Sequence, residues 1–222
     1  MCKISVRKPE LFEITDKRGK RFYGGVQYWF PKKGYIPPGA CGATTGANIF
    51  GYLARTHEGF VDEGDLRTKA GFLAFMKKSY AHLYPRVMGL MADNFVLGAE
   101  AFAVSLGVPM HAERLKVPIC RAGRPTAEEA AAFITDALRG DAPVAFLILS
   151  SGQTPTLDAW HWVTIIALDE SSFEVEIIDN GELLHADLSR WLETSIMGGS
   201  FVRMVMDSPI KSANDSVILV GE

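Results

Sequence analysis

The sequence predicts an α+β fold with an antiparallel sheet. Apolar residues before Gly140 recur at helical spacing, whereas after Gly140 short β-rich runs follow one another, separated by Gly, Asp, Asn, Ser and Pro. Helices gathered ahead of strands mark an α+β chain, not the regular alternation of a doubly wound parallel sheet. The 222 residues hold no internal repeat, low-complexity tract or linker-like block. One domain over 1–222 follows, mainly helical over 1–140 and mainly β over 141–222.

Taken in order, "MCKISVRKPELFEITDKRGKRFYGG" carries charges where a secretory leader needs an apolar stretch, so export by that route is not expected. The Gly-, Pro- and aromatic-rich "RFYGGVQYWFPKKGYIPPGA" reads as an irregular loop with one short strand around Tyr23 to Trp29. From Gly42 to Arg55, Ala47, Ile49, Phe50, Leu53 and Ala54 recur with helical spacing. Small residues at the other positions of this first helix allow close packing on a neighbour.

"LRTKAGFLAFMKKSYAHL" and "NFVLGAEAFAVSLG" continue the helical pattern, the second closed by Gly107 and Pro109. Phe72, Phe75, Met76, Tyr80, Met88 and Met91 read as core at this spacing. In "PTAEEAAAFITDALRG", Thr126 and Glu129 form a capping-box signature and Gly140 is a suitable stop. The strands are "PVAFLIL", "HWVTIIAL", "FEVEII", "FVRMVM" and "SVILV", interrupted by a short helix "DLSRWLET" with Asp187 as its N-cap.

A net charge of -3 gives no broad basic field, which excludes nucleic acid and anionic membranes as main partners. "VAFLIL" and "WVTIIAL" are far shorter than the roughly 20 apolar residues that span a bilayer. Cys2, Cys41 and Cys120 are odd in number and widely spaced, without a CxxC, so neither a disulfide framework nor a structural zinc site is expected. No metal and no organic cofactor are expected, and a reducing, cytoplasmic setting fits.

Cys41 stands at the start of the first helix, where free backbone N–H groups favour an anionic sulfur. A thiolate nucleophile needs a base. His161 opens the strongest strand pattern, where alternation puts His161, Val163 and Ile165 on one face and Trp160 and Trp162 on the other. His57, His82, His111 and His185 carry no second signal and read as structural. Asp179 and Asn180 end the next strand, and either side chain is able to orient the imidazole. Asn180-Gly181 is also the preferred pair for a type I′ hairpin turn.

With "GACGATTGANIFGYL", "HWVTIIALD" and "EVEIIDNG" in the order Cys, His, Asp or Asn, the chain resembles the papain-like cysteine peptidases. Within them it is similar to the bacteriocin-leader-processing, double-glycine peptidase branch. The resemblance covers about Tyr23 to Glu193, and "CGATTG" keeps the first two residues of the papain signature. It implies a papain-like fold, with Cys41 as nucleophile, His161 as general base and then acid, and Asp179 as the orienting residue. Asn180 is the alternative, because papain itself uses an amide there.

The resemblance also implies that Gln27, in "GGVQYWF", helps hold the oxyanion together with the backbone N–H of Cys41. The implied activity is cleavage of a peptide or amide bond in a peptide or protein substrate through a thioester acyl-enzyme. The same triad also serves acyltransferase or transglutaminase-like enzymes, and a peptide-binding module that has lost its chemistry is a third reading.

Overall fold

The computed structural model describes residues 3–31, 39–87 and 89–207. Cys2, Met88, most of "PKKGYIPPGA" and the run "SVILV" fall outside the described residues. The chain is α+β. Its main sheet has seven strands, all paired antiparallel: β1 (Lys3–Ser5), β4 (Met110–Val117), β5 (Val144–Ile148), β6 (His161–Asp169), β7 (Glu174–Asp179), β8 (Glu182–Asp187) and β9 (Gly199–Met206). The order is β4-β9-β5-β6-β7-β8, and β1 pairs with the far end of β6, beyond the reach of β5. A two-stranded ribbon of β2 (Glu13–Thr15) and β3 (Arg21–Tyr23) stands apart.

Helices cover both faces of the sheet. On one side α1 (Cys41–Thr56), α2 (Lys69–His82) and α3 (Ala92–Ser105) share a core with Ala145, Leu147, Trp162, Val202 and Met204. On the other, α4 (Ala127–Arg139) and α5 (Leu188–Thr194) pack with Val144, Phe146, Val163, Ile165 and Phe201. The helical first half therefore does not form one body laid on a β half. It contributes α4 to the opposite face and β1 and β4 to the sheet.

The local chemistry explains these elements. α1 is buried from Cys41 through Leu53, more completely than an amphipathic surface helix. Its small residues permit this: a Cβ on Gly42 would meet Leu90 Cδ2 at 2.5 Å and Trp162 Cδ1 at 3.3 Å. α4 begins with the reciprocal capping box, Glu129 N–H donating to Thr126 Oγ1 at 3.2 Å and Thr126 N–H to Glu129 Oε2 at 2.8 Å. Such a cap is worth about 1 kcal/mol. Asp187 caps α5 by accepting from Arg190 N–H at 2.9 Å.

β4 and β8 lie at the two ends of the strand order and mix exposed with half-buried residues, so neither carries the continuous apolar signal of β5 or β6. The segment from Tyr23 to Trp29 is not a strand. β3 stops at Tyr23 because Gly24 turns into the left-handed region (φ 70°), and a 3-10 turn follows at Gln27–Trp29. Phe72, Phe75 and Met76 are buried, and half-buried Tyr80 packs on Phe30 with ring centroids 5.4 Å apart.

Candidate active site

Cys41 is the first residue of α1 and 8% exposed. Ala40, at the N-cap, has no side chain to satisfy the free N–H groups of the first turn, so they and the helix dipole face the sulfur's end of the helix. Cys41 Sγ lies 3.9 Å from the Gly39 carbonyl, a long sulfur hydrogen bond. Cys120, the other described cysteine, is exposed.

His161 opens β6 opposite Ile148 and is 7% exposed. The residue after it locks the strand: Trp162 stacks on Phe95 at 4.2 Å between centroids and donates its indole N–H to the Leu90 carbonyl at 2.7 Å. Trp162 faces α1–α3 while Val163 and Ile165 face α4 and α5, as alternation requires. Trp160 does not share the Trp162 position. It precedes the strand, half exposed, with φ 58°.

Asp179 reaches His161, its Oδ1 lying 2.7 Å from Nε2. A register shift makes this contact available. Asp169 to Ala167 pair with Glu174 to Glu176, but beyond the bulge Ile165 pairs with Ile177 and Thr164 with Ile178. Continuing that register puts Asp179 across from Val163, on the same side of the sheet as His161. Without the extra residue it would lie across from Thr164, on the other side. The bulge is fixed by Val6, whose N–H donates to the Ile166 carbonyl at 3.0 Å.

The imidazole is hydrogen-bonded to Asp179, and the Cys41 side chain is near enough to act on its charge. Nε2 is engaged by Asp179, so Nδ1 is the ring nitrogen left for the sulfur. Burial pulls the His161 pKa down, but hydrogen bonds and charge from Asp179 and Cys41 outweigh it, and the pKa is pushed up to about 10. The balance favours the charged ring, with Asp179 as its hydrogen-bonded counter-ion.

Asp179 and Asn180 do different things. Asn180 (φ 46°) and Gly181 (φ 85°) form the two-residue left-handed turn between β7 and β8, closing the Asp179 to Glu182 pair. That turn docks on the β3 segment through Tyr23 N–H to the Gly181 carbonyl at 2.7 Å. Asn180 Oδ1 accepts the Gln27 backbone N–H at 3.3 Å. The amide thus tethers Gln27, and the carboxylate meets the histidine.

Sequence reasoning missed the clamp that joins these parts. Asn48, two turns after Cys41 on α1 and 3% exposed, accepts the Gly25 N–H at Oδ1 (2.8 Å) and donates from Nδ2 to Thr164 Oγ1 (3.2 Å). One side chain ties the Cys41 helix, the loop leading to Gln27 and the His161 strand. The available signal was an amide in the otherwise small and apolar run "GANIFGYL".

The other four histidines are engaged elsewhere. His57 meets Thr56, His82 stacks on Phe102, His111 lies between Glu113 and Asp207, and His185 faces Glu174 and Glu176. Among the described residues no group of three or more His, Cys, Asp or Glu is gathered in a metal-binding arrangement, and no helix is long and apolar enough to cross a membrane. No protein-family model matches the chain, and no curated protein matches it.

Proposed function

We propose that the protein is a thiol hydrolase of the papain-like kind, cleaving a peptide or amide bond in a peptide or protein substrate through a thioester acyl-enzyme. The observation that carries this reading is the buried His161, whose Nε2 meets Asp179 Oδ1 at 2.7 Å and whose charge is favoured by both Asp179 and the Cys41 side chain. A nucleophile on a helix N-terminus beside a base mounted on an antiparallel sheet supports the papain-like assignment. In the reaction, Cys41 Sγ attacks the carbonyl carbon, forming a C–S bond and moving the π pair onto oxygen. The backbone N–H of Cys41 and the side-chain amide of Gln27 receive that oxyanion.

His161 then delivers the Nδ1 proton to the amide nitrogen, the C–N bond breaks and the amine leaves. Water attacks the thioester, giving its proton to His161. The C–S bond breaks, the acid departs and the thiolate–imidazolium pair is restored. Asp179 holds the Nε2–H throughout, fixing ring orientation and stabilising the cation.

The test is brief exposure to iodoacetamide at pH 6 followed by intact-mass analysis of wild type, Cys41→Ala and His161→Ala. One fast adduct, absent from Cys41→Ala and slowed in His161→Ala, is the expected outcome. Slow, equal labelling of all cysteines regardless of His161 would overturn the proposal.

A further inference from the structure

Three aromatic side chains are strongly exposed among the described residues: Tyr28, Tyr84 and Trp160. Two of them adjoin the candidate site, Tyr28 one residue after Gln27 and Trp160 one residue before His161. Trp160 also has a backbone that L-residues avoid, at φ 58°. Phe173, at φ 57°, offers the contrast: it is half buried and packs against the α4–α5 core, so its strain is offset by burial. Trp160 is 49% exposed and belongs to neither core. A bulky side chain held in a strained conformation, half exposed and outside both cores, marks a position kept for contact with something else.

We infer that Trp160 is the wall of a leaving-group subsite, selecting an amine portion with an apolar or aromatic side chain next to the scissile bond. The inference rests on the hydrolase reading. His161 is the residue that protonates the departing nitrogen, so the chain segment at His161 borders the amine side of the substrate. An indole one residue away supplies a flat apolar surface for the side chain that follows the cleaved bond. Tyr28 adjoins the Gln27 tether, itself held by Asn180 at the tip of the Asp179 hairpin.

The subsite that releases an amine also receives one in the reverse direction, which gives a test independent of the natural substrate. p-Nitrophenyl acetate transfers its acetyl group to Cys41, seen as an acetyl mass increment mapped to that residue. Glycinamide, leucinamide or phenylalaninamide is then added. The amine nitrogen attacks the thioester, C–N forms, C–S breaks, the proton passes through His161 to the thiolate, and the N-acetyl amide is quantified. These amines have similar basicity, so differences among them report binding.

Wild type is expected to favour phenylalaninamide and leucinamide over glycinamide by about tenfold, the scale of discrimination by an apolar pocket. Trp160→Gly and Trp160→Asn, both compatible with the left-handed backbone, lose that preference, and Trp160→Phe retains most of it. Equal transfer to all three amines in wild type, or a preference that survives in both Trp160→Gly and Trp160→Asn, would overturn the inference alone. Failure of Cys41 to be acetylated would overturn the hydrolase reading and this inference with it.

Discussion

Replacing Asn48 by alanine removes two hydrogen bonds from a site that water does not reach. Gly25 N–H loses its acceptor at 2.8 Å and Thr164 Oγ1, on a side chain with 0% exposure, loses its donor at 3.2 Å. An orphaned buried amide costs about 1–3 kcal/mol and the second bond about 1 kcal/mol more, giving a loss of about 3 kcal/mol. That is a large share of the roughly 5–15 kcal/mol that stabilises a typical domain. Urea unfolding followed by tryptophan fluorescence reads it as a lower midpoint with an unchanged slope. Thr164→Val breaks only one of the bonds and costs about 1 kcal/mol. The double variant falls short of the sum of the singles by about that amount. A loss below about 0.5 kcal/mol for Asn48→Ala, or strict additivity with Thr164→Val, would refute the clamp.

Asp179→Ala slows iodoacetamide labelling of Cys41 at pH 6, whereas Asn180→Gly, which keeps the left-handed turn, leaves it within about twofold; the reverse order would make Asn180 the orienting residue. The His161 pKa is raised on folding, so its contribution to stability is complete below about pH 6.5 and is lost as pH rises through about 10. Midpoints of urea unfolding therefore fall over that window and fall less in Asp179→Asn, and a rise with pH contradicts the charged-ring picture. Tyr52→Phe deletes the hydroxyl that donates to Asp141 at 2.6 Å and accepts from Lys8 N–H at 3.1 Å. It lowers stability by about 1–3 kcal/mol in thermal unfolding, and a change below about 0.5 kcal/mol would refute that role.

What was legible in the sequence is what local chemistry decides. The capping box at Thr126, the N-cap at Asp187, the left-handed Asn180-Gly181 turn and the periodicity of α1 all depend on residues a few positions apart, and all are present. The face on which Asp179 stands was not legible. A strand has a side-chain period of two, and a single extra residue in β6 decides the matter. The separate tasks of Asp179 and Asn180 also escaped the sequence, because the docking of the hairpin tip on Tyr23 and Gln27 assigns them. The strand foreseen through Gln27 failed on the Gly24-Gly25 pair: Gly24 turns left-handed, and a Cβ on Gly25 would come within 3.0 Å of Phe72, Met76 and Thr44.

The burial of α1 from Cys41 to Leu53 has an evolutionary consequence. Nearly every position on that helix faces protein, so substitutions there are filtered by the whole interior, and the sulfur at its tip is carried on the part of the chain least free to drift. Two of the three exposed aromatics sit on connecting segments next in sequence to Gln27 and His161: the turn bearing Tyr28 and the stretch from Leu149 to Trp160 between β5 and β6. Those two segments can change length and sequence without disturbing the packing of α1. An engineer inserting foreign sequence would graft at the same two places.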